Sequence, residues 1–305
     1  MSGAVDISVA VVGINSREYV RACLKSLFQA EWRGYSYRIV YVDNASSDGS
    51  VEMVRAEFPA VSVIANARNA GFCAACNQAV EHVASRYVYL LNNDTVLFPD
   101  SAWRLASFLD AAPDAAAAGN RLLNPDLTDQ WSARRFPNWR NAIFGRRTAI
   151  GRLFPSSPAV RDYLFKSSFQ QNQPFVVDWV PGSCTLVRRE AYLQAGGLPE
   201  DMHYWSDALF CDRLNKLGWR IYVVPAARLI HFEGQGTGAR TATVRRWLIA
   251  DFHRGAYRFY CEHYALGRGN PARWLARGAL GLRAAILIAS DALRYRLRAP
   301  RAGEA

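Results

Sequence analysis

The sequence predicts an α/β fold, an open and mostly parallel sheet flanked by helices, with a basic helical C-terminal extension. Three observations predict it. Short β-rich runs alternate with helical stretches as far as Ala112, the pattern of parallel strands joined by covering helices. The chain has 305 residues, 50% of them hydrophobic, which supplies a large core and excludes a disordered or disulfide-stapled chain. Charge is uneven: residues 240–305 hold 13 arginines against four acids, whereas residues 1–239 hold 24 basic and 22 acidic side chains. The formal net charge of +11 therefore belongs to the C-terminal segment and points to an anionic partner: phosphate, a lipid surface or nucleic acid.

The expected strands of the first half are Ile7–Val12, Arg38–Val42, Val61–Ala65 and Tyr87–Leu91. Helices are expected at Tyr19–Gln29, Ser50–Phe58, Phe72–Ser85 and Ser101–Ala112, the last stopping before Pro113, which cannot continue a helix. Residues Gly119–Ser168 show no clear period and predict a long, partly ordered excursion over the sheet. Regularity returns with strands at Phe175–Trp179, Cys184–Arg188 and Arg220–Val224 and helices at Arg189–Ala195 and Asp207–Leu217. Gly196-Gly197 and Gly218 stand where helix C-caps belong. From Ala239 the chain turns helical and basic in two blocks separated by Gly267-Arg-Gly-Asn-Pro271.

Nothing at Met1–Asp6 reads as a basic leader, and the apolar stretch Ile7–Val12 is too short for an export segment, so a cytoplasmic chain is expected. Six scattered cysteines then read as free thiols, Cys73 and Cys76 as helix interior rather than a zinc or redox pair.

In an open parallel sheet, ligands bind outside the carboxyl ends of the strands. Those ends carry Val42-Asp43-Asn44-Ala-Ser-Ser-Asp48-Gly49, Asn66-Ala-Arg68-Asn69-Ala-Gly71 and Asn92-Asn93-Asp94-Thr95. Each polar residue has a local alternative, with Asp43, Asn66 and Asn92 as turn formers and Asp48 or Asn69 as N-caps. Three such loops on one edge favour a site, because binding groups gather where loops leave a rigid scaffold. No glycine-rich dinucleotide or Walker fingerprint is present, so a bound nucleotide needs another phosphate device. A divalent cation, Mg²⁺ or Mn²⁺, held by Asp94 meets that need.

Six motifs in order resemble the inverting glycosyltransferases of family 2, in particular their rhamnosyltransferase branch. They are Val9-Ala-Val-Val-Gly-Ile-Asn15-Ser, the Asp43 and Asp48 run, Asn69-Ala-Gly71-Phe-Cys-Ala-Ala-Cys-Asn77, Leu90-Leu-Asn92-Asn-Asp94-Thr, Val177-Asp-Trp179-Val-Pro-Gly182-Ser and Val187-Arg-Arg-Glu190. The resemblance runs from about residue 7 to about residue 238. It implies a GT-A fold over 1–238, with a nucleotide-sugar-binding half at 1–118 and an acceptor-binding half at 119–238. By position, Asp43 would bond the pyrimidine base and Arg68 approach base or phosphate, with Asn15, Asn69, Gly71, Asn92 and Asn93 lining the same nucleotide site. Asp94 would be the surviving carboxylate of the metal motif, with His231 beside metal or phosphate; a strand-end histidine satisfied by backbone is the plainer account of His231. Asp207 aligns with the general base, and it also suits an N-cap. Ser206 and Leu209 replace acids usual in the family, and Gly13-Ile14-Asn15 replaces an Asn-Tyr-Asn. Trp179, Gly182 and Ser206 would face the acceptor, although Trp179 also fits a core.

On a helical projection of Ala272–Arg298, Arg273, Arg277, Arg283, Asp291, Arg294 and Arg298 share one arc, and Leu275, Leu282, Ile286, Leu293 and Leu297 lie opposite. Residues 239–305 are accordingly expected to form a basic amphipathic region that associates with an anionic membrane surface, or else to pack on the protein's own core. The aromatic block Trp247–Tyr264 has interfacial character too. The combined expectation is a metal-dependent, inverting transferase. It would move a sugar, rhamnose from dTDP-rhamnose or one from a UDP-sugar, onto a lipid-linked saccharide in surface-polysaccharide assembly, peripherally on the inner face of the cytoplasmic membrane. A different donor or acceptor, or a degenerate nucleotide- or membrane-binding relative, are the alternatives. No nucleic-acid motif supports a nucleic-acid partner.

Overall fold

The computed structural model describes residues 4–136, 161, 163–182, 184–232 and 241–298. The basic pair Arg146–Arg147 lies outside the described residues, as do the side chains of Leu297 and Arg298.

The first half is built as expected. Strands β1 (Val5–Gly13), β2 (Tyr37–Asp43), β3 (Ser62–Ala65) and β4 (Ser85–Asn92) alternate with helices α1 (Arg17–Phe28), α2 (Ser50–Glu57) and α3 (Phe72–His82). These strands are parallel, in the order β3-β2-β1-β4. Alternation sorts their side chains: Ile7, Val9 and Val11 enter one core with Val20, Leu24 and Leu27 of α1, and Ala10 and Val12 enter a second with Cys73, Cys76 and Val80 of α3. Both faces of the sheet are covered, as a parallel sheet requires. Helix α3 stops three residues earlier than expected because Ser85 already pairs with Val5.

Past α4 (Ser101–Ala111) the expectation needs correcting. Residues Ala115–Leu123 form a strand, β6, with all but Arg121 buried, and the short β5 (Thr95–Leu97) precedes α4. Alanine has little strand propensity, so the run Ala115–Ala118 gave no signal. The half-boundary expected at 118/119 falls inside β6. A five-residue helix α5 (Lys166–Gln170), strands β7 (Phe175–Val177) and β8 (Cys184–Arg188), and helices α6 (Arg189–Gln194) and α7 (Ser206–Lys216) follow. Strand β9 runs from Arg220 to His231, seven residues beyond its expected end. Pro225 had marked a stop; instead the register jumps from Asn120↔Val224 to Arg121↔Arg228, and the proline sits in that bulge, where no ladder N–H is needed.

The sheet has the order β3-β2-β1-β4-β8-β6-β9-β5, with β7 also on β9. Six strands, β1–β4, β6 and β9, run one way, and β8, β5 and β7 oppose them.

Helices α8 (Ala242–His263) and α9 (Pro271–Arg298) close the chain. Helix α8 packs on α7, burying Asp251, His253, Gly255, Phe259 and Cys261, so much of the aromatic block expected at an interface faces inward. Helix α9 packs on α8 along a partly buried face of Ala276, Leu280, Ala284 and Ile288, flanked by Arg273, which donates to the Tyr257 hydroxyl and the Leu266 carbonyl, and by Asp291, which pairs with Arg245 at 3.0 Å, while Arg277, Arg283 and Arg294 are exposed. Its apolar stripe faces away, with Leu275 74%, Leu282 65%, Ile286 58% and Leu293 59% exposed. Those four side chains do not pack on the protein's own core. Among the described residues no helix is long and apolar enough to cross a membrane.

Candidate active site

Register places the predicted loops on one edge. Gly13 pairs with Asp43, Asp43 with Ala65 and Val12 with Asn92, so β1, β2, β3 and β4 end level with one another. Strand β8 enters antiparallel, Leu91 opposite Cys184, which brings the Gly182 turn to the same edge.

On the β1–β3 side the polar groups are occupied with each other. Asp43, 2% exposed, accepts from the Tyr41 hydroxyl (2.8 Å), Ser46 N (2.8 Å) and Ser46 Oγ (2.6 Å). Two of these donors go to Oδ1 and one to Oδ2, leaving Oδ2 one acceptor position. Asp48 accepts from Arg17 N at 2.9 Å and, on its other oxygen, from Ser50, tying the β1 and β2 loops together. Burial opposes the Asp48 charge, yet these donors hold its pKa below the ordinary carboxylate value. Asn15, at φ 46°, accepts from Ser47 N at 2.8 Å, and Asn69 accepts from Gly71 N at 2.9 Å. Gly71, at φ 88°, adopts a conformation that suits glycine and starts α3. The glycine at 13 has its own reason: a Cβ there would lie 2.9 Å from the Tyr41 hydroxyl. Arg68 is exposed on the loop after β3.

The β4–β9 side is different. Asn93 donates to Ser16, while the half-buried Asn92 has its carbonyl capped by Thr95 Oγ1 at 2.6 Å. Asp94 is 7% exposed, and its Oδ1 has no hydrogen-bond partner. Strand β5 pairs Thr95 with His231 at the end of β9, and His231 Nε2, also buried without a hydrogen bond, stands 3.4 Å from Asp94 Oδ1. Two buried and unsatisfied atoms facing each other fit a shared cation, since donors each about 2.1 Å from one Mg²⁺ or Mn²⁺ are separated by a similar distance. The pair offers two protein ligands and leaves other positions open; no group of three or more His, Cys, Asp or Glu with metal-ligand geometry occurs among the described residues.

Asp207 lies in the first turn of α7, with its Cβ 3.6 Å from the position a Gly182 Cβ would take. The N-cap is Trp205, at φ 72°, so the N-cap alternative for Asp207 does not hold. Burial raises the Asp207 pKa above the ordinary carboxylate value, against the Ala208 and Gly182 N–H groups and the Arg134 charge. Ser206 is buried, its hydroxyl donating to the His203 carbonyl at 3.4 Å. Helix α8 grips this turn: Asp251 accepts from Tyr204 N at 3.0 Å, and a Cβ at Gly255 would lie 2.5 Å from the Tyr204 carbonyl. Trp179 gives its indole N–H to the Arg135 carbonyl at 3.0 Å and packs between two cores, with Arg134 above its ring.

All six cysteines are buried free thiols; burial pushes Cys73 up to about 11, and its thiol donates to the Met202 carbonyl. They act as core residues, as expected.

Sequence reading did not single out Tyr41, Ser46 or Gln130. Tyr41 and Ser46 stand two residues before and three after Asp43, a local signal; Gln130 reaches His231 from 101 residues away and left none.

The family model described as glycosyl transferase family 2 matches residues 8–194. An N-acetylglucosaminyl-diphospho-decaprenol L-rhamnosyltransferase of Mycobacterium tuberculosis is 29% identical over 96% of this chain and 96% of its own length. An undecaprenyl-phosphate 4-deoxy-4-formamido-L-arabinose transferase of Edwardsiella ictaluri is 30% identical over 47% of this chain and 44% of its own. Among solved structures, a mannosyltransferase from Pyrobaculum calidifontis, in complex with GDP-Man and Mn²⁺, superposes with TM-score 0.56 at 18% identity, over 98% of this chain and 82% of that one. GalNAc-T7 with UDP, GalNAc and Mn²⁺ gives 0.56 at 15% identity, over 92% and 55%. These neighbours bear out the expected GT-A fold.

Proposed function

Because this chain belongs to glycosyl transferase family 2 and is a glycosyltransferase, we propose that it is an inverting, metal-dependent enzyme transferring rhamnose from dTDP-rhamnose to a lipid-linked saccharide. One observation carries the reading: a half-buried carboxylate of raised pKa, Asp207, shares a sheet edge with the unsatisfied Asp94–His231 pair. The rhamnosyltransferase named for decaprenol-linked N-acetylglucosamine, similar along nearly the whole chain, supports donor and acceptor. The two neighbours carrying Mn²⁺ support the cation.

In this mechanism Asp94 and His231 hold a divalent cation, which would offset charge developing on the departing nucleoside diphosphate. Asp43, with one acceptor position left on Oδ2, receives a base N–H, and Arg68 approaches base or phosphate. Asn15, Asn69, Gly71, Asn92 and Asn93 shape the cradle. Asp207 accepts the proton of the acceptor hydroxyl as that oxygen attacks the anomeric carbon opposite the leaving group; its raised pKa makes it a better base than an ordinary carboxylate. Trp179, Gly182 and Ser206 border the acceptor side. We assign 1–118 to the nucleotide sugar, 119–238 to the acceptor and 239–305 to an anionic membrane surface. The outward stripe of α9 supports peripheral attachment on the cytoplasmic face, near the lipid carrier.

The test is transfer from dTDP-rhamnose to N-acetylglucosaminyl-diphosphoryl-polyprenol with Mg²⁺, with Mn²⁺ and with EDTA, beside UDP- and GDP-sugars. Metal-dependent product from dTDP-rhamnose alone is expected. Product from another nucleotide sugar only would replace the donor, and undiminished product in EDTA would remove the cation.

A further inference from the structure

The segment after β6 turns back sharply. Leu127, at φ 65°, lies in a turn closed by Asn124 N to the Thr128 carbonyl at 2.8 Å. Arg121 clasps Asp129 with two bonds of 2.6 and 2.8 Å, and Gln130 N donates to the Leu122 carbonyl at 2.9 Å. Gln130 is thus held beside the end of β9, on the flank of His231 opposite β5.

Its amide meets His231 twice. Nε2 donates to the His231 carbonyl at 2.6 Å, and Oε1 stands 2.9 Å from His231 Nδ1. A carbonyl oxygen only accepts, so the Gln130 –NH₂ must face it and Oε1 must face the ring. An amide oxygen also only accepts. His231 Nδ1 therefore carries a hydrogen, and in the neutral ring the lone pair is left on Nε2, the atom 3.4 Å from Asp94 Oδ1. Two acceptors then face each other, an arrangement that favours a cation between them. From this geometry we infer that Gln130 is a positioning residue: it fixes His231 as the Nδ1–H tautomer and aims the Nε2 lone pair at the metal. The inference rests on the proposed cation site and adds to it a residue outside every motif that suggested that site. The physical logic is general, since a ligating histidine is oriented by what its other ring nitrogen donates to.

Two measurements on the full-length chain test it. The first is the tautomer of metal-free His231 in long-range ¹H–¹⁵N spectra of histidine-labelled protein, at a pH well above the ordinary histidine range, with the signal assigned by its loss in His231→Gln. The Nδ1–H form is expected in the wild type. Gln130→Leu should move toward the Nε2–H form. The second is Mn²⁺ affinity by electron paramagnetic resonance, with and without dTDP. Gln130→Leu should bind about 10–100-fold more weakly. An unchanged tautomer in Gln130→Leu overturns the inference, whatever the metal does. Wild-type affinity in Gln130→Leu, while Asp94→Asn loses the ion, also overturns it and spares the cation site. No Mn²⁺ binding by the wild type would instead remove the cation reading and with it the metal-directed half of this role.

Discussion

The two sides of the sheet edge treat the same residue type in opposite ways. Around β1 and β2, Asp43 and Asp48 each take three donors from the chain itself, and Asp48 has a lowered pKa. Around β4, β8 and β9, Asp94 keeps a buried oxygen without a partner, and the half-buried Asp207 has a raised pKa. A carboxylate held mostly by donors of its own loops shapes a cradle and contributes stability. One left incomplete costs stability, and that cost is tolerated where a ligand or a proton completes it.

The contrast breaks first at Asp207. Asp207→Asn should lower transfer by about 10²–10⁴-fold while nucleotide binding stays unchanged. Its folded pKa is raised, so its favourable contribution exists at low pH and is lost as pH climbs through that pKa. At neutral pH the ionised group is a net cost, and Asp207→Asn should unfold at a higher temperature than wild type. Transfer by the wild type should fall on acidification through the same raised pKa. A less stable Asn variant would place Asp207 among the structural carboxylates instead.

At Asp94 the expected loss is about 10²–10³-fold in transfer, with Mn²⁺ binding lost in the same protein and the melting temperature nearly unchanged. Asp48→Ala should do the reverse. Three donors lose their acceptor, costing about 1–3 kcal/mol in urea unfolding, while the rate per folded molecule holds. Because its folded pKa is lowered, Asp48 stabilises above its unfolded pKa, and that contribution disappears as pH falls through the folded value. The wild type should therefore lose more stability in acid than Asp48→Ala does. The smallest effect on folding belongs to α9: Leu282→Asp with Ile286→Asp should change stability by no more than about 0.5 kcal/mol each, while sedimentation with anionic vesicles is lost. Retained sedimentation would move the contact to another surface.

The edge formed by β1–β4 was legible in the sequence because its information is local. Each strand is a short apolar run, and each following loop carries its own turn chemistry within a few residues. Strand β6 was not, since four alanines carry no strand signal until β8 and β9 pair on either side of them. The projection of α9 marked the apolar stripe that stays exposed, but the side turned to the protein, which takes in Arg273 and Asp291 and leaves Arg277, Arg283 and Arg294 outside, depended on Tyr257, Leu266 and Arg245 of the neighbouring segment. Asp94 and His231 were each readable as candidates; what joins them is the β5–β9 pairing, over more than one hundred residues of chain.

Strand β9 comes last in the sheet by sequence, yet it lies between β6 on one side and β5 and β7 on the other. During synthesis, β1–β4 can collapse with their helices while β4 still lacks its partner β8 and β6 lacks both of its own. A nascent chain at that stage presents open strand edges, the geometry that templates aggregation. Completion of the sheet and pairing of His231 with Thr95 are then a single late event, so a molecule able to hold Asp94 against His231 is also one that has closed its most exposed edges.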